Sequence, residues 1–389
     1  MRIAMFTTDF PLARGDERAT RDPNWWGGVG VVAARLTSEL ARRGHTVEVF
    51  TTFRGGSLEV EYGGGSVRAF RPDLVVGDSN VSFKLMLIRS SQKPDLVHVH
   101  RGSPPGALAG FLFARRHRIP LITSYHGGLF FRGRKLNEWL ILQAYRFAEL
   151  WMLRKSAAII ALTQSARQIA ELKPFLQKVR IVPNGVDLPR DAMPRQDEAR
   201  ARLAIPMTET VCLYAGALNY RKGFDLVLEV GERLRKSVNP MVVAIGHVPR
   251  GAEPKRTAAS SGGGKSIRFD GFVNEEMKPY YFRAADMLLL PSRLEGFPLT
   301  LLEALAYGLP VIASDIPPLA EIVGPAGAGL VFRSGDAEDL CDKIRLLAKD
   351  RSLQANLRDK GLRLAAEFTW DKVVDRMIAV YETATGTRS

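Results

Sequence analysis

Two carboxylates eight residues apart, two adjacent cations and one histidine after an apolar run have the types and settings that suit chemistry in this chain. Glu295 and Glu303 belong to segment 286–304, in which an apolar run ends at Pro291 and Pro298 precedes a second apolar pattern. Proline fits the first turn of a helix, where its missing N–H costs nothing. Glu295 is therefore expected in a loop and Glu303 inside the helix that follows. Carboxylates placed in this way do not flank one bond as an acid and nucleophile pair do. They grip different parts of one ligand, each accepting hydroxyl hydrogen bonds, while the amides around Gly296, Phe297 and Leu299 face its phosphate. A capping or solvated carboxylate is the competing reading for either glutamate alone.

The segment Leu213 to Gly223 reads as a strand, a turn at Gly216 and a helix start, and it carries Arg221 and Lys222 side by side. Two cations near helix N–H groups suit a diphosphate; two solvated basic residues at a helix entrance are the alternative. A glycine loop, Gly27-Gly28-Val29-Gly30, opens a further helical pattern. Glycine lets the backbone approach a phosphate, and a tight packing turn explains the loop equally well. Its spacing is not the dinucleotide fingerprint, and no acidic residue closes the second strand at Phe50-Thr51-Thr52. Both points disfavour NAD. His126 follows the apolar run Ile119 to Tyr125, at a strand end where it can meet a hydroxyl; a structural histidine is the rival. His98 and His100 alternate along a strand, but no Cys or acidic partner stands at ligand spacing, so no zinc site is expected.

The elements that must position these residues follow from apolar periodicity. Val- and Ile-rich runs near 2–6, 46–51, 95–99, 120–124, 157–161 and 179–182 alternate with helical patterns, and a second series follows near 211–215, 241–245, 266–269, 286–290, 310–313 and 329–332. Repeated βα units around parallel sheets give this form. Two prolines without apolar periodicity mark a linker at 187–195. An α/β protein of two doubly wound, Rossmann-like domains facing a central cleft is expected: 1–187 on the acceptor side and 188–369 for the nucleotide. A helix at about 370–385 is expected to pack back on the first domain. Ligands of such sheets lie beyond the carboxyl ends of the strands, so the loops that follow strands are where a site is expected.

Composition narrows the partners. The 389 residues are 46% hydrophobic and 25% charged, ordinary values for a soluble globular chain. No stretch free of Asp, Glu, Lys and Arg exceeds thirteen residues, short of the ~20 that a membrane span needs. Met1 leads into a core-strand pattern rather than a signal peptide, and two cysteines, Cys212 and Cys341, cannot build a disulfide framework. A cytoplasmic protein is expected. Of the +14 formal charge, +12 falls within residues 1–187, a field that attracts anions of any kind. Residues 111–155 carry nine Lys and Arg against two acidic residues. Within them a helix at 134–155 is apolar around more than one face. Arg132, Arg134, Lys135 and Trp139 thus suggest contact with an anionic membrane, peripheral on the inner face of the cell membrane. A helix buried between layers of its own domain is the rival.

The chain as a whole resembles the retaining, metal-independent GT-B glycosyltransferases of family 4, the glycosyl transferases group 1. The resemblance rests on the Gly27-Gly28-Val29 loop, residues 95–100 (Asp-Leu-Val-His-Val-His), Tyr125-His126-Gly127, residues 182–187 (Val-Pro-Asn-Gly-Val-Asp), the Gly216 to Gly223 turn and the Glu295 to Glu303 spacing. It implies a hexosyltransferase-type enzyme that uses a nucleotide-diphosphate sugar as co-substrate and needs no metal or other cofactor. By it, Gly28 and Lys222 contact the donor diphosphate, Glu303 the ribose, and Glu295 with its following amides the sugar. Gly271 and Val273 edge the base, and His126 meets the sugar or acceptor. One departure stands out: many members place Arg after the glycine that is Gly216 here, and this chain has Ala217. Arg221 is expected to replace that charge. The expected acceptor is a hydroxyl on a lipid-linked or membrane-associated glycan. An epimerase or hydrolase on the same fold is an alternative. A basic nucleic-acid-binding protein is disfavoured, because the aromatic and basic segment is helical and heavily apolar rather than an open stacking surface.

Overall fold

The computed structural model describes residues 1–8, 10–12, 28–76, 79–90, 92–102, 104–127, 136–189, 193–235, 237–247 and 267–387, with the backbone alone at 76, 104 and 136–144. The chain divides into two compact units, Met1–Asn184 with Trp370–Ser389, and Gly185–Thr369.

The first unit is built on strands β1 (Arg2–Phe6), β2 (Thr46–Thr52), β3 (Leu58–Tyr62), β4 (Gly65–Phe70), β7 (Leu96–Arg101), β8 (Leu121–Tyr125), β9 (Ala158–Ala161) and β10 (Val179–Ile181), with β5 (Leu74–Val76) and β6 (Ser79–Val81) forming a separate hairpin. The main sheet runs β10-β9-β8-β7-β1-β2-β4-β3. Every pairing is parallel except the β3–β4 edge. β1 and β7 are buried almost throughout; β1 accordingly reads as a continuous apolar run, whereas β7 buries His98, His100 and Arg101 among its apolar residues. The helix Gly28–Arg42 buries Val32, Leu36 and Leu40, one stripe at four-residue spacing. The C-terminal helix Trp370–Thr385 belongs to this unit, where Tyr381 is fully buried and its hydroxyl meets His98 Nδ1 at 2.7 Å.

The second unit is a six-stranded parallel sheet, β11 (Val211–Ala215), β12 (Met241–Ile245), β13 (Ile267–Gly271), β14 (Met287–Leu290), β15 (Val311–Ser314) and β16 (Gly329–Phe332), in the order β13-β12-β11-β14-β15-β16. The chain moves outward from β11 through β12 to β13 and then returns to the other side of β11 with β14. That reversal opens a crevice at the carboxyl ends of β11 and β14, and the loops leaving those two strands carry Gly216 to Gly223 and Pro291 to Pro298. Cys212 and Cys341 are free and buried in the core of this unit.

Candidate active site

The two loops of the crevice meet through side chains. Lys222, last residue of a 3-10 turn Tyr220–Lys222, places Nζ 2.6 Å from Glu295 Oε1. Its turn is shaped by Asn219, whose Oδ1 accepts the Lys222 amide at 3.0 Å, and by Gly223 at φ +71°, where a Cβ would stand 1.9 Å from the Pro291 carbonyl oxygen. Only glycine permits both the left-handed backbone and this approach, so the β11 loop lies directly on the β14 loop. Ser292 Oγ donates to the same Glu295 Oε1 at 2.7 Å, and Glu295 is 6% exposed against 22% for Lys222. The carboxylate is therefore held in the loop by one cation and one hydroxyl.

The second carboxylate follows the same plan. Glu303 lies on the helix Leu299–Ala306, which Pro298 introduces in extended conformation, and its Oε1 accepts from Lys278 Nζ at 3.0 Å. Lys278 also reaches Glu275 at 2.8 Å. Burial works against the ammonium, yet the charges of Glu303 and Glu275 hold its pKa above the usual lysine range. Gly296 and Phe297 sit between the glutamates, Phe297 buried against Phe368. Gly216 and Gly246 touch backbone to backbone. Gly271 closes β13, and Val273 lies two residues beyond, next to Phe272 at 60% exposure. Arg221 is half-buried, and its positive charge is felt at Tyr214, whose pKa burial and Glu295 drive upward; the Tyr214 hydroxyl donates to the Ala217 carbonyl at 2.7 Å.

In the first unit Gly28 is the opening residue of its helix. His126 follows β8, with Nε2 3.0 Å from His100 Nδ1. His98 bonds Ser124 Oγ at 2.7 Å and lies 4.3 Å from the His100 ring. Desolvation, together with the Arg101 charge, lowers the His126 pKa to about 4, and burial takes His98 to about 3. All three imidazoles are thus neutral near pH 7, and each offers one donor and one acceptor. Arg101 ends β7, donates to the Gly127 carbonyl, stacks 4.2 Å from the Tyr125 ring centroid and pairs with Glu149 of the helix Leu136–Lys155. Among the described residues no group of three or more His, Cys, Asp or Glu is placed to hold a metal ion.

Arg132, Arg134 and Lys135 lie outside the described residues, and Trp139 falls in the helix Leu136–Lys155 where only the backbone is described. Further along that helix Met152 and Leu153 are buried, whereas Phe147, Leu150 and Trp151 are 76%, 41% and 38% exposed. Arg115 stacks on Trp151, 4.6 Å from its ring centroid. Among the described residues no helix is long and apolar enough to cross a membrane. The sequence reading missed Ser292, Lys278, Arg293 and the Arg101–Glu149 pair. Ser292 and Arg293 stand within the segment already singled out; the others are joined only by folding.

Two Rossmann-like units, with paired cations and carboxylates at the switch point of the second, define a GT-B glycosyltransferase. Residues 195–363 match the family model for glycosyl transferases group 1, and residues 26–190 match that for glycosyltransferase family 4. The chain belongs to this family of nucleotide-sugar-dependent enzymes. It is 28% identical over 386 residues to D-inositol 3-phosphate glycosyltransferase 1 of Catenulispora acidiphila, covering 92% of this chain and 91% of the relative. A D-inositol 3-phosphate glycosyltransferase of Geodermatophilus obscurus is 29% identical over 394 residues, covering 92% and 85%. Among solved structures, the sucrose-phosphate synthase of Thermosynechococcus elongatus superposes with a TM-score of 0.78 at 21% identity over 100% of both chains. HepE of Anabaena, in complex with UDP-glucose, gives 0.74 at 16% identity over 99% of this chain and 100% of that one. At such identities the structures speak to the fold.

Proposed function

We propose that the protein transfers a sugar from a nucleotide-diphosphate donor to a hydroxyl of a membrane-associated acceptor with retention of anomeric configuration, without a metal. The observation that carries the donor half is the 2.6 Å contact between Lys222 and Glu295 at the switch point. In this reading the Lys222 ammonium faces the diphosphate, Glu295 the sugar hydroxyls, Glu303 the ribose, and Arg221 supplies the second cation that Ala217 does not. The bond from the anomeric carbon to the diphosphate oxygen breaks, and its electron pair stays on that oxygen. The acceptor oxygen bonds to the same face of the sugar, and its proton passes to the departing phosphate. Fixed positive charge where the oxygen charge develops is then the chief contribution of the protein. His126, neutral near pH 7, orients a hydroxyl and does not add charge.

The acceptor half rests on the exposed apolar face Phe147, Leu150 and Trp151 with Arg115, Arg146 and Arg154 around it, a composition that suits an anionic lipid surface. The names of the curated relatives favour a second reading, a soluble phosphorylated cyclitol as acceptor. Incubation with a panel of nucleotide sugars, alone, with lipid extract and with inositol phosphates, separates them. A lipid product supports the first reading and a water-soluble glycoside the second. Donor loss with no acceptor product in any arm refutes transfer and leaves a hydrolase or epimerase. Lys222→Ala should cost on the order of 10² to 10³ in rate, the range for losing one oxyanion donor. A variant keeping half its activity removes Lys222 from the site.

A further inference from the structure

Arg293 ties the two loops of the switch-point crevice to each other. It stands between Ser292 and Glu295 on the β14 loop, yet its hydrogen bonds reach the β11 loop and the first turn of the helix Phe224–Arg233 that follows it. Its backbone amide donates to the Arg221 carbonyl at 2.8 Å, and Nη1 donates to the Tyr220 carbonyl, also at 2.8 Å. The guanidinium grips Asp225 through both nitrogens, each at 2.7 Å, and lies 3.9 Å from the centroid of the Tyr220 ring. Two consecutive carbonyls immediately before Lys222 are therefore tied to a residue two positions before Glu295.

We propose that Arg293 is a positioning residue for glycosyl transfer, fixing the Lys222 turn against the Glu295 loop so that ammonium and carboxylate meet the donor in one geometry. The proposal rests on the reading of Lys222 and Glu295 as donor ligands. A planar fork is what the site uses: one edge reads the Asp225 carboxylate, one nitrogen also reaches a carbonyl, and the face stacks on an aromatic ring. Lysine reproduces one of these at a time. The Arg293 and Asp225 side chains are 21% and 44% exposed, and ion pairs in that setting add little to stability. The cost of losing the fork should therefore appear in catalysis, where a misplacement of about 1 Å reaches ~10²-fold, and hardly at all in unfolding.

The test compares Arg293→Met, Arg293→Lys, Asp225→Asn and Lys222→Ala in the full chain, measuring kcat, donor KM and Tm for each. Arg293→Met should lower kcat by about 10- to 100-fold with Tm within a few degrees of the parent, and Arg293→Lys should recover part of the loss. Adding Asp225→Asn to Arg293→Met should cost nothing further, since the partner is already gone. Lys222→Ala decides which statement is at fault if these fail. A deficient Lys222→Ala beside a fully active Arg293→Met overturns the positioning role and leaves the donor site standing. Full activity in both overturns the donor reading and the positioning role with it. A fall in Tm matching the loss in Arg293→Met, with unchanged kcat for the folded fraction, makes Arg293 a structural clamp only and also overturns the proposal.

Discussion

Glu149→Ala tests whether the turn bearing His126 is held by a buried ion pair. Arg101 and Glu149 side chains are each 3% exposed, so neither can regain water when its partner is removed. Burial pushes the Glu149 carboxyl above its usual range while the Arg101 charge pulls it back, which is the balance expected of a pair held at the cost of desolvation. Truncation leaves the guanidinium with the Gly127 carbonyl and the Tyr125 ring, and no negative charge. Breaking a buried pair from one side costs about 3–5 kcal/mol. The unit that contains it falls in the size class where each kcal/mol moves Tm by roughly 2–4 °C, so the first unit should melt roughly 6–20 °C lower. Calorimetry on the full chain, with hydrogen exchange at β7 and β8 to assign the transition, reads this directly. The double variant Arg101→Met with Glu149→Leu removes both charges and should recover most of the loss, because apolar replacement of a whole pair is often neutral. A shift of Glu149→Ala below about 2 °C, which corresponds to no more than about one kcal/mol, refutes the reasoning, as does a double variant no better than the single.

Three further outcomes are expected. His126 and His98 titrate near 4 and 3 when folded and near 6.5 when unfolded, so the unfolded chain binds the extra protons; stability should fall by about 1.4 kcal/mol per pH unit per histidine from about pH 6.5 down to those values. Urea midpoints across that range should lose part of their slope in His126→Gln, and an unchanged slope removes His126 from the account. Glu303→Gln should chiefly raise the donor KM, because a ribose grip acts in ground and transition states alike; a collapse of kcat at constant KM means another role. Changing Arg132, Arg134 and Lys135 together to Glu should release the protein from anionic liposomes at low salt while donor binding persists, at roughly 1 kcal/mol per basic residue near the surface. Equal co-sedimentation of variant and parent sinks the membrane reading.

The inner strands 2–6, 211–215 and 241–245 were legible to the residue because strands buried on both faces are apolar runs bounded by turns; 329–332, an edge strand only partly buried, was legible from the short apolar run Leu330-Val331-Phe332. β3 and β4 were missed although Leu58-Glu59-Val60-Glu61-Tyr62 alternates and Gly63-Gly64 turns it back, a hairpin signal overlooked because β3 is mostly exposed and has no continuous apolar run. In the crevice, Lys222, Glu295 and Glu303 could be singled out by type and spacing. Their partners could not. Lys278 meets Glu303 across 25 positions and Arg101 meets Glu149 across 48; the first pair joins two helices and the second a strand to a helix, and neither forms until folding brings those elements together. The histidine row was half visible: strand alternation put His98 and His100 on one face, but Tyr381, 283 residues away, has no mark in local sequence.

Within the second unit, three cations of the crevice already face carboxylates: Lys222 with Glu295, Lys278 with Glu303 and Glu275, and Arg293 with Asp225. That arrangement decides what kind of ligand gains from binding there. A bare phosphate that draws Lys222 away leaves Glu295, 6% exposed, with only the Ser292 hydroxyl, and a buried carboxylate stripped of its cation is expensive. A ligand that brings hydroxyls along with its diphosphate meets both demands at once, since sugar or ribose hydroxyls donate to the carboxylate while the phosphate takes the ammonium. The same exchange can occur at Glu303, whose Oε1 is the oxygen bound to Lys278. In the proposed donor reading, preference for an intact nucleotide sugar over inorganic phosphate is the expected consequence of the pairing, because discrimination arises when the wrong ligand leaves a buried polar group unmatched.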